Sequence, residues 1–272
     1  MHSIDAIALV GGVIAGFLGA LLGIGGGVFL VPLLNGFLGM SFQEARGISL
    51  VGVLGTSASA AMGNPTKRLL NPRLAIFLLL FSVTGASVGA MYSNRFSTRV
   101  YELLFGGSMA MVALLMVARR NVRNVLPPET RDVGVLGGRI HDDDSGSNVA
   151  YRVRRLPVAA GVSFLAGALA SLIGIGGGVV IVPALNTLCG VPIRVAAATS
   201  VLMIGVTTIP GVAASWHNGF LGDYHLAALT SLGALTGFQV GLHVSPRFQV
   251  KWLKVGMACL LTAVSIQYLF LR

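Results

Sequence analysis

Apolar residues in this chain fall in long blocks with short polar interruptions, unlike the alternation of a half-buried strand or the striping of a surface helix. The blocks run from about Asp5 to Leu22, Phe42 to Gly63, Arg73 to Tyr92 and Thr98 to Ala118, then from Leu156 to Ile173, Val195 to Ala214, Tyr224 to Val244 and Lys251 to Leu271. Several approach the roughly 20 residues that a helix needs to cross a bilayer. Two shorter pieces, Val28 to about Met40 and Val179 to Cys189, each follow a run of glycines. The pattern predicts ten helical pieces in an all-α polytopic membrane protein. Between the two sets, Arg119 to Arg155 is polar, with eight arginines, five acids, Pro127-Pro128 and Asp142-Asp143-Asp144. Such a stretch reads as a solvated linker or a marginally folded loop. The expected organisation is a first transmembrane repeat over 1–118, a cytoplasmic linker over 119–155 and a second transmembrane repeat over 156–272.

Composition narrows the class. Hydrophobic residues make up 54% of the 272 positions and charged residues only 10%, against the roughly 25% charge that a soluble domain carries. A soluble enzyme, a disordered chain and a nucleic-acid module are excluded together. Cys189 and Cys259 are the only cysteines and both lie in apolar segments, so no disulfide framework is expected. The first block lacks a basic flank and a small-residue cleavage site and is read as mature structure.

The two sets of blocks are copies. Gly23-Ile24-Gly25-Gly26-Gly27-Val28-Phe29-Leu30-Val31-Pro32-Leu33-Leu34-Asn35 matches Gly174-Ile175-Gly176-Gly177-Gly178-Val179-Val180-Ile181-Val182-Pro183-Ala184-Leu185-Asn186 at an offset of 151. The same offset pairs Ser49 with Ser200, Thr56 with Thr207 and Ser57 with Thr208. A repeat has five crossings if the short pieces cross and three if they are re-entrant. Either count is odd, so the second copy is expected upside down. With the linker inside, fifteen Lys and Arg fall on the inner face and four, Arg46, Arg95, Arg99 and Arg272, on the outer face. That bias predicts both termini outside.

Glycine runs inside membrane segments break helices, and matching breaks in the two halves of an inverted repeat point to a transporter's binding site near the midplane. Helices opening near Gly26 or Gly27 and near Gly177 or Gly178 would offer unbonded N–H groups and positive dipole ends, which suit an anion. Neither run fits a dinucleotide or P-loop pattern. The candidate substrate-binding set is Gly25, Gly26, Gly27, Asn35, Ser49, Thr56 and Ser57 with Gly176, Gly177, Gly178, Asn186, Thr199, Ser200, Thr207 and Thr208. Asn35 and Asn186 suit bracing of the broken helices equally well, and half or more of the hydroxyls are expected to bond only to their own turn. Isolated pairs such as Gly12 with Gly16, Gly85 with Gly89, and Gly233 with Gly237 and Gly241 read as packing contacts, and the last stripe also allows a homodimer. No acid falls in the middle of a span, which leaves a carboxylate cation site without a carrier. No cofactor or metal is expected, and no nucleophile, base and acid share a face, so the chain is not read as an enzyme.

At the paired glycine runs the sequence resembles the sulfite exporter TauE/SafE family, whose members are duplicated membrane proteins with a G-x-G-G-G segment, an apolar stretch and a proline in each half. The family's Gly-Thr-Ser element is partial here, as Gly47-Ile48-Ser49 and Ala198-Thr199-Ser200. The resemblance implies a secondary transporter that exports sulfite or a small organosulfonate across the cytoplasmic inner membrane. Its partners would be the anion and the lipid bilayer. From the residues alone, a passive anion channel and an importer of a small organic anion stay open.

Overall fold

The computed structural model describes residues 2–62, 69–118, 134–142, 147–245 and 250–270. Of the charges counted for topology, Lys67, Arg68, Arg119, Arg120, Arg123, Arg131, Arg247 and Arg272 lie outside these residues. Among the described residues, ten helices carry the fold: α1 (His2–Leu22), α2 (Gly27–Pro32, continued by a wider turn over Leu33–Phe37), α3 (Phe42–Met62), α4 (Pro72–Met91) and α5 (Thr98–Ala118), followed by α6 (Leu156–Ile173), α7 (Gly178–Thr187), α8 (Ile193–His217), α9 (Tyr224–Val244) and α10 (Val250–Phe270). Local signals set several starts. Asn71 caps α4 by accepting from Leu74 N at 3.1 Å ahead of Pro72, and Asp223 caps α9 by accepting from His225 N at 2.8 Å. Among the described residues, five helices, within α1, α4, α6, α8 and α9, are long and apolar enough to cross a membrane. The chain is an all-α polytopic membrane protein.

Small residues dictate which helices pair. Gly12 and Gly16 of α1 lie against Thr230 and Ala234 of α9, and Gly237 lies against Val13. A Cβ at Gly16 or Gly237 would overlap the facing carbonyl oxygen, so these glycines permit the approach. Gly85 and Gly89 of α4 meet Phe164 and Ala168 of α6 in the same manner. Both pairs run side by side in the same direction, and each joins one helix from each half of the chain. The Gly233, Gly237 and Gly241 stripe packs within the chain on α1. At the centre, α3 and α8 run in opposite directions: Leu50 packs on Gly211, and Ser57 Oγ donates to Val201 O at 2.7 Å.

Part of the polar segment, read from sequence as a solvated linker or a marginally folded loop, is folded. Strands β1 (Gly138–Asp142) and β2 (Ser147–Tyr151) form an antiparallel hairpin. Tyr151 is 2% exposed, and its hydroxyl accepts from Asn71 Nδ2 at 2.8 Å. Arg154 N donates to Cys189 O at 2.8 Å. Burial raises the Tyr151 phenol above its usual range. The surrounding charge hides this element in a composition scan, although Val149 and Tyr151 already have strand periodicity.

Candidate functional site

Both glycine runs adopt one backbone design. Gly23, Gly25 and Gly26 have φ of 69°, 79° and 80°, and their mates Gly174, Gly176 and Gly177 have 79°, 75° and 77°. This left-handed sequence is open to glycine and strained for other residues. It ends α1 and α6 and starts α2 and α7. Gly26 O then accepts from Phe29 N and Leu30 N at 3.0 and 3.2 Å, and Gly177 O from Val180 N and Ile181 N at 3.1 Å each. The N–H groups that open α2 and α7 therefore precede the first intrahelical bond.

The loops meet face to face at the core. Gly27 packs on Gly174 O and Ile175, Gly178 packs on Ile24, and Gly25 and Gly176 both abut Val53 and Ile204. Val53 and Ile204 are themselves mates at the offset of 151. Two serines clasp the halves reciprocally: Ser49 Oγ donates to Gly174 O at 2.8 Å, and Ser200 Oγ to Gly23 O at 3.1 Å. Each hydroxyl thus holds the first glycine of the opposite run.

The remaining candidates divide clearly. Asn35 Nδ2 donates to Met40 O at 2.7 Å and Asn186 Nδ2 to Val191 O at 2.9 Å, which are equivalent braces at the ends of the short helices. Thr56 Oγ1 reaches Gly25 O at 2.9 Å, whereas Thr207 and Thr208 bond back to Met203 O and Ile204 O in their own helix. Thr199 Oγ1 accepts from Asn71 N at 3.3 Å. All fifteen candidates are buried. Gly25 to Gly27, Gly176 to Gly178, Ser49, Thr56 and Ser200 come together at the crossing. The two asparagines, Thr199, Thr207 and Thr208 hold their own surroundings, and Ser57 ties α3 to α8.

One residue at the crossing is missed by the sequence reading. Arg46, counted there among the outer-face charges, is fully buried in α3 and packs on Gly174 through its stem. Its Nη1 donates to Ser93 O at 3.0 Å and to Leu172 O at 3.2 Å. The rings of Tyr101 and Phe220 lie 5.5 and 5.6 Å from Cζ. Nε and Nη2 have no partner. A charge near the start of a membrane helix ordinarily reads as interfacial, and only the fold shows that the end of α6 and Phe220 cover it. The signal available in sequence is that its mate at the offset of 151 is Ala197.

Comparison with known proteins agrees with this architecture. The chain is 28% identical over 271 residues to the probable membrane transporter protein YunE of Bacillus subtilis, covering 97% of each chain. It is also 28% identical over 247 residues to a probable membrane transporter protein of Xylella fastidiosa, covering 89% of this chain and 85% of that one. A probable membrane transporter protein of Methanocaldococcus jannaschii is 22% identical over 275 residues. No solved structure matches. The profile of the sulfite exporter TauE/SafE family matches residues 8–268, which include both glycine runs and every helix but the outermost turns. With that span and the duplicated breaks together, the chain belongs to the sulfite exporter TauE/SafE family.

Proposed function

We propose that the chain is a secondary transporter that exports sulfite or a small organosulfonate across the cytoplasmic membrane by alternating access. The observation that carries this reading is the reciprocal clasp at the crossing, where the glycine loops that open two broken helices, one from each half, pack on each other. A pyramidal sulfur oxyanion spreads its charge over several oxygens and suits the N–H groups that open such helices. The two halves are inverted repeats in this reading, with the linker cytoplasmic and both termini outside. The opposite directions of α3 and α8, which are mates in sequence, support the inversion. The loops at Gly25 and Gly176, sealed against Val53 and Ile204, would form the barrier that opens alternately to each side.

Purified protein in liposomes tests this directly. Sulfite should accumulate against its own gradient when a counter-gradient is imposed; equilibration without accumulation would identify a channel instead. In intact cells, a cysteine at Ser145 should be protected from an impermeant reagent and a cysteine at the exposed Asn94 should label. Equal labelling would reject the inverted topology.

A further inference from the structure

We infer that Arg46 is the charged ligand of the transported anion, an oxyanion site formed by the free edge of its guanidinium. The inference rests on the reading of the chain as an anion carrier and adds the residue that supplies the charge. A guanidinium has five N–H donors in a rigid fork and stays protonated in proteins. The two on Nη1 are spent on Ser93 O and Leu172 O. Leu172 lies in the last turn of α6, so this half of the group caps a helix end. Capping does not account for the rest. Nε and Nη2, the two nitrogens without partners, are neighbours on one edge, and their parallel N–H groups match two oxygens of one sulfite, sulfonate or carboxylate.

Burial sharpens the point. Arg46 is fully buried, and among the described residues no carboxylate pairs with it. A buried cation without a counter-ion is strongly unfavourable unless a ligand supplies the charge. The aromatic rings of Tyr101 and Phe220 sit over the group and offset only part of that cost. Nearby hydroxyls are also unspent. Ser93 Oγ, Ser171 Oγ and Ser215 Oγ are buried without hydrogen bonds; Ser93 and the neighbour of Ser171 supply the carbonyls that hold Nη1, and Ser215 packs on Gly47. Arg46 packs on the first glycine of the second run, and the segments that carry these three unspent hydroxyls surround it, Ser93 and Leu172 through the carbonyls that hold Nη1 and Ser215 through Gly47, one residue from Arg46. An anion held on the fork stands next to Gly174, at the entrance to the barrier. The second half has no counterpart, because Ala197 occupies the equivalent place.

Calorimetry on the full chain in nanodiscs with sulfite, sulfoacetate and acetate, alongside liposome uptake, tests the assignment. Wild type should bind at least one of the three, and Arg46→Gln should weaken that binding at least fiftyfold with an unchanged elution profile. Arg46→Lys retains the charge but loses the fork and should weaken it about tenfold; this variant decides the matter should the glutamine variant fail to fold. Ser215→Ala should cost a few-fold. Wild-type affinity in both Arg46 variants overturns the site while leaving the carrier intact. Failure of the wild type to bind or move any of the anions overturns the site and the carrier reading together.

Discussion

Arg46 and Ala197 hold the same place in the two copies, each packed on the first left-handed glycine of the opposite half, Gly174 for Arg46 and Gly23 for Ala197. Around them the halves agree. The positive-φ glycines, the serine clasp and the asparagine braces all recur at one offset. They part in four places: the guanidinium, the Thr56 bond to Gly25 O that Thr207 does not repeat, the Ser57 bond across to Val201 O where Thr208 bonds back in its own helix, and the wider turn after Pro32 where α7 stays regular. What recurs is framework, since both halves need it to cross. What occurs once is free to give the molecule a polarity that a perfect duplicate would lack.

The comparison can be broken most forcefully at the framework. Leucine at Gly26 or at Gly177 should abolish sulfite uptake, because both positions demand a left-handed backbone and a Cβ would meet Ala15 O at 2.9 Å or Ala166 O at 3.3 Å. Loss in only one variant would show that the two breaks are not equivalent. Ala197→Arg would impose symmetry on the charge. With no carbonyl pair known to receive it, the new cation should destabilise the protein by about 3–5 kcal/mol, measured by thermal unfolding in detergent; unchanged stability would mean that the second half can host the same site. Smallest are Ser49→Ala and Ser200→Ala, each expected to cost about 1 kcal/mol for one lost hydrogen bond to a buried carbonyl. Equal losses in the same melting assay would sharpen the view of the clasp as shared framework, and a much larger loss at Ser49 would tie it to the Arg46 side.

Much of this was legible before any coordinates. Block hydropathy places the ten helices of the described residues, and the glycine runs mark the breaks, because both depend on local chemistry that a linear scan reads. Other features depend on which segments meet. The hairpin over 138–151 is stabilised by Tyr151 reaching Asn71 across 80 positions, which composition does not register. Arg46 has the same difficulty: its covering groups come from Ser93, Leu172 and Phe220, far away in sequence. The recurrence of the hydroxyls at one offset is readable in sequence, but their partners, mostly backbone carbonyls of the opposite loop or their own turn, follow only from the packing.

The lateral pairs have a consequence for biosynthesis. Gly12 and Gly16 of α1 seat on α9, and Gly85 and Gly89 of α4 seat on α6. At roughly 5–20 residues per second, α1 waits on the order of tens of seconds after its own synthesis before α9 exists. During that interval the first half sits in the bilayer with its glycine faces uncovered and available to other helices. A nascent chain of this kind cannot mature half by half, and a product truncated in the linker would present those faces permanently to the cell's membrane quality control.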